Sequence, residues 1–290
     1  MATKLYKGTT PLLSQPSIGG GLMGRAYIGG QLAYGAAPIV WTPESINGIT
    51  NWWRADMGVT LSGATVTSWV DQIAGKTLTQ EGTSTAPDFV ASDTTMNNQP
   101  AIEFGASGAT LDNLSDDANR INPSATDFPF MWSVFSTTDN AVGGYQVPMA
   151  DKSVDGVAGQ EFIIEFNHPS YPNTISIYSH KLDSGVGTTL GNVAVRPDTG
   201  WIGIGVDNND VNNPGYLWVN GTKQTLWSVG TNYWGQIGSG ISLNAGNYGP
   251  SATLPYKGRL LEFGFGLEEI NVESKADFTT YLNTRYGLSL

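Results

Sequence analysis

The sequence predicts an all-β fold: a two-sheet antiparallel β-sandwich over residues 44–290, preceded by an extended arm and followed by a short C-terminal helix. Three observations carry this. Charged side chains make up only 13% of the 290 residues while aromatics reach 11% and glycine numbers 37. That balance is opposite to a disordered chain's, and it lacks the Glu, Lys and Arg from which helical bundles build their surfaces. Short apolar or alternating runs recur between clusters of Gly, Asn, Asp, Ser and Pro, the punctuation of a sandwich. Finally, Gly215–Val219 meets Thr222–Leu226 across Asn220-Gly221, a pair that supplies the two positive φ angles of a tight hairpin turn.

Residues 1–43 form the arm. Lys4, Lys7 and Arg25 give it +3 with no acid before Glu44, so −14 of the net −11 falls on the remainder. Eight glycines and four prolines deny it a core of its own. Yet Tyr6, Leu12, Leu13, Tyr27, Ile28, Leu32 and Tyr34 are more large apolar groups than a solvated tail carries. They read as residues that dock on a partner surface, against the alternative of a floppy tail. Gly29-Gly30 suits a hairpin turn between Ala26–Ile28 and Gln31–Tyr34.

A short helix is expected around Thr42–Ile49. Strands are expected at Ala101–Phe104, Phe130–Ser136, Glu161–Phe166, Ile175–Tyr178, Gly200–Val206, Gln236–Ile241 and Gly258–Gly264. A second helix spans Val272–Tyr286, with Asn271 as N-cap and Gly287 at the left-handed stop. Phe278 and Leu282 give it an apolar face, Ala276 and Tyr281 flank that face, and the helix is expected to close an edge of the sandwich.

Several function classes are excluded. With no cysteine there is no disulfide, thiolate metal site or cysteine nucleophile, and His168 and His180 alone cannot build a multi-histidine centre. The acidic balance argues against a nucleic-acid partner, and no apolar run approaches the roughly 20 residues of a membrane span. The N-terminus lacks the apolar stretch of a secretory signal, so the chain is expected to be made in the cytosol.

The motifs point to a family. Ile49-Thr50-Asn51-Trp52-Trp53-Arg54-Ala55-Asp56, then Val66-Thr67-Ser68-Trp69-Val70-Asp71, then Gln99-Pro100-Ala101-Ile102-Glu103-Phe104 are followed by the 216–226 hairpin. Tyr256-Lys257-Gly258-Arg259-Leu260-Leu261-Glu262-Phe263 and the closing helix with Tyr281, Leu282, Arg285, Tyr286, Gly287 and Leu288 come last. In this order they resemble the concanavalin A-like (laminin G-like) jelly-roll domains of bacterial surface and bacteriophage proteins. In the arm, the stretch from Arg25 to Tyr34 resembles the segment that opens virion proteins of tailed bacteriophages. Together these resemblances imply a virion structural protein, a head decoration, spike or tail-associated fibre, assembled in the host cytoplasm. Its partners would be capsid or tail proteins through the arm, further copies of itself as a homo-oligomer, and host surface polysaccharide through the jelly roll. The fold also hosts lectins, hydrolases and inert modules. A glycoside hydrolase and a free carbohydrate-binding module are therefore the alternatives.

Candidate chemistry follows from single segments. Glu161 and Glu165 share a strand face, and laminarinase-type hydrolases of this fold carry Glu-x-Asp-x-Glu on such a strand. Here Ile163 replaces the central Asp, so two solvated acids are the better reading and no catalytic residue is assigned. No nucleophile elbow lies beside His168 or His180. Asp207, Asn209 and Asp210 form an oxygen-rich loop that could hold Ca²⁺, although Asx-rich loops also make ordinary turns. No other cofactor is expected. Tyr171, Trp227, Tyr233, Trp234 and Tyr248 fall in or near expected loops, where a flat ring can pack on a sugar. Trp53, Trp69, Trp132 and Trp201 read as core.

Overall fold

The computed structural model describes residues 42–46, 48–80, 86–105, 130–137, 197–206, 215–225, 256–266 and 272–288. It also describes strands at 6–7, 10–11, 17–18, 21–22, 25–28, 31–35, 114–115, 146–152, 161–168, 171–180, 187–193 and 242–245. The chain divides into two compact units, Met1–Thr42 and Pro43–Leu290.

In the first unit three antiparallel ladders follow one another. β1 (Tyr6–Lys7) pairs with β2 (Thr10–Pro11), β3 (Ser17–Ile18) with β4 (Gly21–Leu22), and β5 (Arg25–Ile28) with β6 (Gln31–Gly35). The last ladder ends on the pair Ile28↔Gln31, so Gly29 and Gly30 connect its strands as the sequence suggests.

The second unit opens with a 3-10 turn at Pro43–Ser45 rather than the helix expected around Thr42–Ile49. The amide of Ile46 bonds to the carbonyl of Pro43 and that of Ile49 to Ile46, both the three-residue spacing of a 3-10 turn. Ile49 already belongs to β7 (Ile49–Arg54). There follow β8 (Val59–Ser62), β9 (Thr65–Val70), β10 (Thr77–Gln80), β11 (Asp88–Asp93), β12 (Gln99–Phe104), β13 (Leu114–Ser115), β14 (Phe130–Thr137) and β15 (Gln146–Lys152). Then come β16 (Glu161–His168), β17 (Tyr171–His180), β18 (Gly187–Val193), β19 (Thr199–Val206), β20 (Gly215–Val219), β21 (Thr222–Thr225), β22 (Ser242–Ala245), β23 (Gly258–Gly266) and α1 (Val272–Tyr286). The strand expected at 236–241 lies outside the described residues.

Two antiparallel sheets result. The first runs β7-β23-β14-β19-β20-β21, with β12 taking the end of β23 that β7 leaves free. The second runs β8-β9-β10-β13-β22-β15-β16-β17-β18. Strand β11 pairs with both β12 and β9 and links the two. The β20–β21 hairpin turns at Asn220 and Gly221 with φ of 49° and 81°, as its sequence requires.

The core fills the space between the sheets. Phe263 stacks on Trp53 at 4.8 Å within the first sheet and meets the edge of Trp69 from the second at 5.1 Å. Phe135 and Phe166 bridge the sheets at 4.8 Å. The two indoles cross-link their strands: Trp53 Nε1 donates to the carbonyl of Trp69, and Trp69 Nε1 to that of Arg54. Trp53, Trp69, Trp132 and Trp201 are all fully buried, as read from the sequence.

Strand β14 is buried on both faces, which one sandwich core cannot explain. Met131 and Phe135 point into the core, while Phe130, Trp132 and Val134 occupy the outer face. Helix α1 covers that outer face rather than closing an edge. Its Phe278 meets Phe130, Trp132 and Trp201 edge-on at 6.0, 5.1 and 5.4 Å. Among its described side chains Phe278, Leu282 and Tyr286 are the buried ones, whereas Ala276 is exposed. The face is shaped by a cross-strand row, Trp52–Gly264–Trp132–Gly203–Trp218, in which each glycine separates two indoles. A side chain at Gly264 would run into the Trp132 ring, so glycine there lets the indole lie flat on the neighbouring strand. The product is an all-β sandwich with one C-terminal helix.

Candidate functional site

Among the described residues, the polar side chains that the motifs single out converge on three buried clusters. The first is Asp71, which ends the Val-x-x-Trp-x-Asp stretch. Its carboxylate accepts from the amides of Trp52 at 2.6 Å, Ile73 at 3.0 Å and Ala74 at 2.7 Å, and from Asn51 Nδ2 at 2.9 Å. One acid thus closes the turn after β9 and fastens it to β7. Asp71→Ala strands the buried Trp52 amide and Asn51 amide group. It is expected to cost about 3 kcal/mol in urea unfolding, the scale for unmatched buried donors.

The second cluster lies under α1. Glu262, fully buried on the outer face of β23, accepts from Trp52 Nε1 at 2.8 Å, Tyr281 Oη at 2.9 Å and Tyr286 Oη. The nearest cation, Arg285 Nε, stands 4.0 Å away, and its guanidinium is bound to Asp56 at 2.6 Å. Arg54, which also bonds Asp56, stacks 5.0 Å above Trp52. Burial pushes the Glu262 carboxyl above its ordinary value, and the hydrogen bonds and Arg285 only partly offset this. Burial and then the adjacent Glu262 push the Tyr281 and Tyr286 phenols up, so both remain donors at neutral pH. Partial burial works against the charge of Asp56, but Arg285 and then Arg54 hold its carboxyl below the ordinary value.

The third cluster centres on Asp93, also fully buried. It accepts from Thr95 N and Oγ1 at 2.9 and 2.6 Å and from Ser136 Oγ at 2.7 Å, with Arg259 Nη1 at 3.5 Å. Arg259 in turn pairs with Glu103 at 3.3 Å. Burial opposes the charge of Asp93, yet the Thr95 and Ser136 hydrogen bonds and Arg259 hold its carboxyl below 3.8. A lowered carboxyl stabilises the fold above its unfolded value and loses that contribution as pH falls through the folded one. The wild-type chain is therefore expected to lose stability below about pH 3.8 more steeply than Asp93→Asn, compared by thermal melts in an acid series.

These clusters hold strands and helix together, and none is an open pair of acids. The sequence reading missed Glu262, Asp93 and Tyr286 as partners. A signal existed: Glu262 interrupts the apolar run Leu260-Leu261-Glu262-Phe263, and a lone acid in such a run must find donors.

The residues proposed for ligand chemistry are placed less completely. Trp227, Tyr233, Trp234 and Tyr248 lie outside the described residues, as do Asp207, Asn209 and Asp210. Tyr171 opens β17, where it pairs with His168 of β16. Glu161 and Glu165 sit on β16 opposite His180 and Ser176. Four residues of strand separate their Cα atoms by about 13 Å, against the roughly 5–5.5 Å between carboxyl groups that retaining glycosidases use. In the arm, Tyr6, Tyr27, Ile28, Leu32 and Tyr34 fall on β1, β5 and β6, while Leu12 and Leu13 lie outside the described residues. Among the described residues no group of three or more His, Asp or Glu could hold a metal. No described helix is long and apolar enough to cross a membrane.

No family model matches the chain, and no curated protein matches it. Among solved structures it is similar to the CBM40 module of a Ruminococcus gnavus IT-sialidase bound to alpha2,3 sialyllactose. That match has 12% identity over 57% of this chain and 97% of that one, with a TM-score of 0.41. It is also similar to the NanB sialidase of Streptococcus pneumoniae as its K499G mutant, at 11% identity over 54% and 26% of the two chains and a TM-score of 0.41. Trypanosoma rangeli sialidase matches at 13% identity over 87% and 34%, with a TM-score of 0.45. At these scores the likeness carries no argument about what this chain does.

Proposed function

We propose that this chain is a displayed structural module of a tailed-bacteriophage particle. Its N-terminal unit docks on capsid or tail proteins and on further copies of the chain, and its sandwich faces host surface polysaccharide. The observation that carries the reading is the division into two unlike units. One is a short run of small ladders with +3 charge, Gly-rich yet studded with large apolar residues; the other is a sandwich with its own large core. A unit of three small ladders cannot bury enough apolar surface alone, which favours its covering by a partner.

The sandwich supports the glycan part. Helix α1 occupies the outer face of the first sheet, whereas on the second sheet Thr60, Ser68 and Thr79 share one register row. Thr60 and Thr79 are exposed there, and β8, β9 and β10 carry no charged residue. Neutral hydroxyls suit the hydroxyls of a neutral polysaccharide better than a charged partner.

The test is density-gradient fractionation of a producing culture with mass spectrometry of each fraction. The expected result is this chain at a fixed ratio to capsid protein, lost when residues 1–42 are deleted. Recovery only in soluble fractions would overturn the particle reading. A glycan array with the wild-type chain and a Thr60→Lys/Thr79→Lys variant tests the sandwich separately. Binding that survives the double variant would place the glycan elsewhere, and release of reducing ends would point to the hydrolase.

A further inference from the structure

Two features of the outer face of the first sheet belong together. Glu262 is fully buried, yet its direct partners are neutral: the indole of Trp52 and the phenols of Tyr281 and Tyr286. The cations around it reach it only weakly or through its partners: Arg285 Nε stands 4.0 Å away and donates to Tyr286 Oη at 3.3 Å. From β7 comes Arg54, its register partner, and from the turn that follows comes Asp56; from α1 comes Arg285. Both guanidiniums are engaged by Asp56, and β14 faces Glu262 only with Val134. Under the same helix the indole N–H groups of Trp132 and Trp201 and Oδ1 of Asn283 are buried without a hydrogen-bond partner among the described residues. Each of these groups regains water when the helix leaves, so each lowers the cost of undocking.

We propose that α1 is a releasable clasp over the aromatic face of the first sheet, docked while Glu262 is protonated and freed as Glu262 ionises. The protonated acid needs no counter-ion: its own O–H bonds a phenol that turns to accept, while the remaining neutral partners go on donating to it. The carboxylate in the same place is a buried charge with its nearest cation at 4.0 Å and shared. Opening returns Glu262 to solvent and exposes Phe130, Trp132, Val134 and Trp201.

The linkage has a definite sign. Burial holds the docked carboxyl above the value it takes in the open state. Between the two values the docked form binds the extra proton, so the opening constant rises with pH, by up to about tenfold per unit. Below the window it is flat.

Hydrogen exchange read by mass spectrometry on the full chain, from about pH 4 to about pH 8 and corrected for intrinsic rates, tests this. Protection of 272–288 is expected to fall with pH in the wild type while that of 130–137 holds, and to stay level in Glu262→Gln. Protection of α1 that ignores pH, or falls equally in both proteins, would overturn the clasp. Acrylamide quenching of tryptophan emission in the wild type gives a readout that needs no variant. It should increase through the same window as Trp132 and Trp201 emerge, and constant quenching is the overturning result.

Discussion

Gly264→Ala is expected to lose about 3 kcal/mol of unfolding free energy, at the upper end for overpacking a core. The added methyl would sit inside the Trp132 ring, and that ring has nowhere to go. Gly203 lies opposite it on the neighbouring strand, Phe130 stacks on it at 5.9 Å, and the edge of Phe278 lies 5.1 Å away. Trp132 is fully buried, so its displacement would lift α1 as well. Gly203→Ala provides the internal comparison. There the nearest ring atoms stand at 3.0 and 3.4 Å, and a few tenths of an ångström of adjustment suffice. Urea denaturation should rank Gly264→Ala clearly below Gly203→Ala. The reverse order would mean that the indole does not lie across Gly264.

Phe278→Ala is expected to cost about 4 kcal/mol, the range for removing a fully used phenyl ring. Phe278 is the one α1 ring that touches Phe130, Trp132 and Trp201 together. Its loss leaves a hole that three rigid rings on a sheet cannot close. The denaturant slope discriminates two outcomes. An unchanged slope with a lower midpoint means the helix and sheets still unfold as one unit; a smaller slope means α1 has already left the native state. A loss below about 1 kcal/mol would show that the helix does not depend on this ring.

Much of the fold was legible because its signals are local. Asn220-Gly221 fixes a hairpin by backbone preference alone, and Val272–Tyr286 shows its helix through Phe278, Leu282 and the stop at Gly287. The 42–49 helix was misread because an acid, a serine and a proline suit a first turn equally well in a 3-10 turn, and only pairing of Ile49 with Gly266 decides. The position of α1 was not legible. It depends on alternate glycines in β19 and β23 lining up beside Trp132, a match between strands far apart in sequence. A glycine inside a strand signals a close approach without saying what approaches. The buried clusters were half visible, since Asp71 stood out within its motif, whereas Glu262 needs donors from β7 and from α1.

The pairing of β7 with β23 also governs the order of events at the ribosome. Trp52 must wait for Glu262, 210 residues downstream, before its indole finds an acceptor. At usual rates of synthesis that wait is on the order of ten to forty seconds. Throughout it the nascent chain carries a tryptophan-rich strand whose sheet partner, β23, has not yet been made. Such non-local pairing is slow to form and exposes sticky edges while it waits. Chains cut short before β23 should therefore accumulate as chaperone-bound or insoluble species rather than as smaller folded domains.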